Sequence, residues 1–407
     1  MKTLEHRIGG RFLHVLALSL LLGVTPLVTV QAAAPFIKEA KVVTNSFIEI
    51  DWEGSQTIKS AGRSKEDSQL EASYFEVKLN GIVLEQTIPW YWNIVDMPLH
   101  GVVVNQNKTT LRLATPLDAD QMKSLQNGTS KMTVRISSSR VAGSDYAPAD
   151  TEIIYPVVYK PYYNKTITSK VGIQVKASEF VHQSTLQDCA DIIDKILSAA
   201  PENLLTIMRS RNSFAIFGPG EHSYNIPEHR SIFLRDAWRR AEGYGGYLAA
   251  TSAANVVRNH VSQTHHYPTS YASGYRNESI LTHEFGHGIH SAVRGSEASD
   301  IQALNAEFNR CYENAKEKGM WPNTYAISNS GEYFATLTVI WFNAMRETEV
   351  WGPTYGPVNT RAELYVYDRK AYDFFAKILP AQIEYLNENW LNCPDEFKAG
   401  IGDPHPW

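Results

Sequence analysis

From about residue 35 to 157 the chain alternates apolar and polar positions with a period of two, in short runs separated by turn residues. The runs are "FIEIDW" (Phe47 to Trp52), "YFEVKLNGIVL" (Tyr74 to Leu84), "TLRLAT" (Thr110 to Thr115), "MTVRIS" (Met132 to Ser137) and "EIIYPVVY" (Glu152 to Tyr159). Successive side chains of a strand point to opposite faces, so Phe75, Val77 and Leu79 share one face while Glu76 and Lys78 share the other. Asn80-Gly81 between two such runs is a dipeptide that favours a tight hairpin. The pattern predicts a β-sandwich of immunoglobulin or fibronectin type over 35–157, with one helical turn near Asp118 to Leu125 as an insertion.

Past "YKPYYNK" (Tyr159 to Lys165) the period changes. Leu186, Cys189, Ala190, Ile193, Ile196 and Leu197 recur at helical spacing, with Ser184 as the expected N-cap and Pro201 after the end. "SFAIFG" (Ser213 to Gly218) reads as a short buried strand. A loop-rich passage from Pro219 to Asn277 follows and includes "EGYGGYLAATSAAN"; loops of that length in a compact domain are commonly part of a site. The second domain is therefore expected to be α+β, over 160–407.

Composition adds boundaries. At 407 residues, 43% hydrophobic and 20% charged, the chain is an ordinary globular one with room for two or three domains. Lys2, Arg7 and Arg11 precede the apolar run "FLHVLALSLLLGVTPLVTV" and the small residues of "VQAAAP", which reads as a signal peptide over 1–32 and implies a secreted or extracellular protein. The net charge of −5 becomes −7 once the leader's three cations and Glu5 are removed, and so acidic a surface argues against nucleic acid as a partner. Cys189, Cys311 and Cys393 permit at most one intramolecular disulfide, so this is no disulfide scaffold. Asn107, Asn127, Asn164 and Asn277 begin N-x-S/T triplets, which decide little.

The chemistry concentrates in "ILTHEFGHGIHSA" (Ile280 to Ala292). Residues four apart share a helix face, so His283 and His287 can offer nitrogens to one ion while Glu284 points beside it toward a water. That is H-E-x-x-H. Zinc bonds imidazole at about 2.0–2.1 Å, and a catalytic site keeps three protein ligands and one open position. Gly286 is expected to leave room near the metal. A third histidine ten positions after the first would mark a metzincin, but Val293 stands there. His290 lies roughly 10 Å along the axis from His283, too far to share one ion, and is expected either to support a ligand from behind or to be structural. Two glutamates compete for the third place. Glu307 follows His287 by 20 positions, although Cys311 occupies the place of the aspartate that thermolysin-type enzymes carry; Glu332 follows His287 by 45 in "NTYAISNSGEYFATLTVIWF", where it could instead complete a capping box with Asn329.

"HEFGH", then the Glu of "EYFA" 45 residues on, with Tyr325 seven positions before that Glu, resembles the catalytic domain of the anthrax lethal factor-like zinc metallopeptidases. The resemblance covers about Val171 to Pro380 and implies that His283, His287 and Glu332 hold one zinc ion, that Glu284 is the general base, and that Tyr325 hydrogen-bonds the developing oxyanion. It includes neither the β-rich region nor any receptor-binding or kinase-docking part, so no toxin partner or substrate carries over. The lead-in "NESILTHEFGHGIH" and the later "RAELYVYD" (Arg361 to Asp368) resemble uncharacterised secreted relatives of that group.

The expected protein is thus a secreted zinc endopeptidase, with a zincin-like α+β domain behind a β-sandwich and a peptide or protein substrate. The alternative is an extracellular surface- or carbohydrate-binding protein with a structural or inactive zinc site; "WYW" (Trp90 to Trp92) is the candidate for cell-surface or polysaccharide contact. "HSYNIPEH" (His222 to His229) could line the cleft or be a loop anchored by Pro227, "THH" (Thr264 to His266) reads as an exposed histidine pair with a second metal site as the alternative, Asn255 and Glu278 could orient the site, and Trp341 and Phe342 read as core.

Overall fold

The computed structural model describes residues 37–53, 57–58, 73–86, 102–105, 108–142, 152–229, 241–258, 278–346 and 348–381. The signal-peptide, "WYW" and "THH" expectations, and Cys393, lie outside them. The fold is mixed α/β, built from a curled sheet, a second smaller sheet and helices.

The first region contains β1 (Ile37–Val42), β2 (Phe47–Trp52), β3 (Thr57–Ile58), β4 (Phe75–Leu79), β5 (Ile82–Leu84), β6 (Val102–Asn105), β7 (Lys108–Arg112), α1 (Ala119–Gln126), β8 (Met132–Ser137), β9 (Val141–Ala142) and β10 (Glu152–Tyr159). Eight of these strands form one sheet in the order β5-β4-β8-β10-β1-β2-β7-β6, and β3 pairs with β9 separately. Alternation does what the sequence predicts: Phe75, Val77 and Leu79 are buried and join Val134 and Ile136 in the core. Asn80 and Gly81 both have positive φ, 49° and 85°, the turn that a two-residue hairpin needs. The sheet curls until Gln86, just past β5, bridges Leu113, just past β7. Asp118 caps α1 through a reciprocal capping box with Gln121.

The second region begins without a break. Tyr162 donates its backbone N–H to Val43 (2.8 Å), and Asn164 donates to Ala177 (3.0 Å). Its strands are β11 (Lys165–Thr168), β12 (Gln174–Ala177), β13 (Ser213–Phe217), β14 (Gly243–Tyr244) and β15 (Leu248–Ser252); its helices are α2 (Gln183–Ile196), α3 (Glu202–Arg211), α4 (Ala253–Arg258), α5 (Ile280–Arg294), α6 (Ser299–Glu317), α7 (Ser330–Trp341), α8 (Arg361–Tyr367) and α9 (Arg369–Phe375). The sheet runs β11-β12-β13-β15-β14, parallel in its middle and antiparallel at both edges.

"SFAIFG" supplies the central strand, and its unbroken apolar run follows from burial on both faces. Phe214 and Ile216 join the large core, while Ala215 and Phe217 pack on the opposite side near Tyr162, Tyr163 and Ile226. The passage read as loop-rich contains β15. Its sequence "LAATS" carries small side chains because helices crowd the sheet there: Ala249 and Ala253 belong to the large core beside Leu281 and Phe285 of α5. The expected N-cap also moves: His182 occupies it, and Ser184 lies in the first turn of α2.

Candidate metal centre

Helix α5 starts where two side chains accept its free N–H groups. Ser279 Oγ takes Thr282 N (3.2 Å), and Asn255 Oδ1, fully buried on α4, takes Leu281 N (2.9 Å). The first turn therefore has a fixed entry, and His283 and His287 follow on one face.

Gly286 has a different job from the one its sequence suggests. A Cβ there would meet Ala335 Cα at 3.0 Å and Thr338 at 3.1 Å, so the glycine lets α7 approach α5. That approach brings Glu332 to the histidines. Asn329 caps α7 by accepting Gly331 N (2.9 Å) and Glu332 N (3.0 Å). The Glu332 carboxylate does not close a capping box; its Oε2 lies 3.2 Å from His283 Nε2 and 3.4 Å from His287 Nε2.

All three side chains are buried, and their ligand atoms lie within 4.8 Å of one another. Two donors on one tetrahedral zinc, each about 2.05 Å from it, sit roughly 3.3 Å apart. The observed separations match that spacing, and two imidazoles with one carboxylate are a donor set zinc accepts. Burial disfavours the Glu332 carboxylate's charge, but His287 and His283 outweigh it and hold its pKa below the usual range. Burial likewise opposes a charge on His283, and the Glu278 carboxylate close to its Nδ1, with the hydrogen bond to Glu332, reverses that and raises its pKa.

Glu278 is buried, with Oε1 3.3 Å from His283 Nδ1 and Tyr355 Oη 3.5 Å from Oε2. Glu284 lies beside the triad. Burial, with smaller contributions of both signs from His283, His287, Glu332 and Glu278, pushes its pKa up to about 7. Tyr325 is 41% exposed overall, and desolvation of its phenol first, then the Glu332 charge and a hydrogen bond to that carboxylate, hold its pKa above the usual value.

The glycines that make room at the centre lie on the sheet's edge. A Cβ on Gly243 would meet Glu284 Cγ at 2.5 Å, and one on Gly245 would meet His287 Cβ at 2.2 Å. The "EGYGGY" run is the sequence trace of that contact, but its meaning depends on knowing that β14 crosses α5.

The competing residues lie elsewhere. Glu307, on α6, pairs with Lys377, just past α9. His290 is buried between aromatic rings, 5.2 Å from Phe334 and 5.1 Å from Phe308, and burial drops its pKa to about 3.

No protein-family model matches the chain, and no curated protein does. Among solved structures, a PRO-PRO endopeptidase from Paenibacillus alvei aligns over 50% of this chain and 97% of its own, at 17% identity and a TM-score of 0.29. Native yeast LTA4 hydrolase aligns over 92% of this chain and 67% of its own, at 10% identity and a TM-score of 0.13. With TM-scores this low, the functional reading rests on the site itself.

Proposed function

We propose that the chain is a secreted zinc-dependent endopeptidase with a lethal factor-like catalytic domain. One observation carries the reading: a single Glu332 oxygen faces the Nε2 atoms of both H-E-x-x-H histidines at zinc-ligand spacing, with Glu284 alongside. His283, His287 and Glu332 would hold the zinc, which would supply Lewis acidity when bound. Glu284 takes the water's proton and returns it to the leaving amine; a pKa near 7 suits both transfers. Tyr325 stays protonated and donates to the oxyanion. Strand β14 is last in the described sheet and antiparallel to β15; its Gly243 lies against the Glu284 side chain and Gly245, just past it, against His287, so its outer edge can take an extended peptide.

The β-rich region, which we assign to 35–157 after a leader at 1–32 and before the catalytic domain at 160–407, is read as an immunoglobulin-like sandwich. Its strand order supports this, because β1 pairs antiparallel with β2 and parallel with β10 and so joins β2-β7-β6 to β5-β4-β8-β10.

The test is digestion of a diverse peptide library read by mass spectrometry, with Glu284→Gln and a chelator as controls. Cleavage abolished by both is expected. A folded, zinc-loaded protein that cleaves nothing would overturn the reading.

A further inference from the structure

Asp368 ends the "RAELYVYD" run and is 1% exposed. Its Oδ2 accepts from Trp321 Nε1 (3.0 Å) and from the Tyr333 hydroxyl, and its Oδ1 accepts Ala371 N (3.3 Å) at the start of α9. These donors are all neutral. Among the described residues no lysine, arginine or histidine makes an ion pair with this carboxylate, and a buried charge held that way is costly.

The two side chains that Asp368 grips lead to the metal centre by separate routes. Tyr333 is chain neighbour to Glu332 on α7. Trp321 begins the turn that delivers Tyr325, and its backbone is strained, with φ at 56° and Asn323 following at 61°. A bulky residue keeps such a φ only where its surroundings over-determine it. They do here: Tyr367 Oη accepts Trp321 N (2.9 Å), and the Trp321 ring meets those of Tyr367 at 5.1 Å and Trp351 at 5.5 Å. Two residues beyond Trp351, the Pro353 carbonyl accepts Tyr325 N.

We infer that Asp368 is a positioning residue that fixes Glu332 and Tyr325 relative to one another, by clamping Tyr333 and the strained Trp321 turn onto the C-terminal helices. The inference rests on the peptidase reading above. A carboxylate rather than an apolar side chain stands there because one oxygen can take two donors from two elements and so set both distances at once.

The experiment uses the full chain with Asp368→Asn, Tyr325→Phe, the double variant, and Leu364→Ala as a packing control, since Leu364 is fully buried in α8 but its side chain is no part of the clamp. Zinc affinity is read by chelator competition, kcat and KM at saturating zinc, and Tm alongside. Asp368→Asn should weaken zinc about tenfold and lower kcat about tenfold with KM within twofold, about the size of effect seen when the support of a metal ligand is removed. On the Tyr325→Phe background its effect on kcat should shrink below threefold. Wild-type zinc affinity and kcat in Asp368→Asn, or equal losses in Leu364→Ala at a matching drop in Tm, would overturn the positioning role alone. A wild-type chain that binds no zinc would overturn the peptidase reading, and this inference with it.

Discussion

The two regions treat buried charge in opposite ways. In the curled sheet the one carboxylate buried among the described residues, Glu49, lies 2.9 Å from Lys41 and 2.8 Å from Lys108, so its charge is neutralised within the fold. At the metal centre Glu278 and Glu332 are buried against histidine and tyrosine, with Glu284 beside them, and no lysine or arginine is paired with either buried glutamate among the described residues. Histidine is a cation only while protonated, and carboxylates without a permanent cation beside them are expensive to bury. The first arrangement serves a stable scaffold; the second makes sense when a cation from outside completes it.

Glu332→Ala should break that contrast most strongly, with zinc affinity falling by orders of magnitude while Glu307→Ala leaves it unchanged, as read by chelator competition. The reverse result would move the third ligand to Glu307. Acid comes next. Burial, against weaker opposition from Glu228, drops His229 from 6.5 to about 4, so the native state holds it neutral. Its contribution to stability is complete above pH 6.5 and is lost as pH falls toward 4, on the order of 3 kcal/mol. His229→Gln, whose amide can still donate to the Leu248 carbonyl, should flatten that slope in urea unfolding; an unchanged slope would remove His229 from the account.

Glu278→Gln sharpens the comparison from within the site, with an expected loss of about 10–100-fold in zinc affinity because the support behind His283 is weakened. Unaltered affinity would leave Glu278 a bystander. The smallest effect belongs to the sheet: Ile136→Val should cost about 0.5–1.5 kcal/mol in chemical unfolding and leave zinc affinity alone. A shift in zinc affinity would mean that the two regions are energetically coupled through the joint at Tyr162.

Legibility followed the range of the forces involved. The runs at Phe47 to Trp52, Met132 to Ser137 and Glu152 to Tyr159 became strands with the same ends, and in Met132 to Ser137 the alternation records one buried face, with Met132, Val134 and Ile136 inside. Strand β15 left little such record, since the helices above it admit only small side chains. Histidine spacing, a property of one helix, was legible from residue to residue.

The sequence alone determined the alternating strands, the Asn80-Gly81 turn and the placing of His283, Glu284 and His287 on one helical face, because neighbours along the chain specify each of these. Tertiary structure decided that Glu332 rather than Glu307 meets the two histidines, that Gly286 serves helix packing while Gly243 and Gly245 make room at the centre, and that Asp368 lies behind it. Those outcomes depend on α5, α7 and β14 approaching one another, and the contacts that set such approaches join residues far apart in the chain.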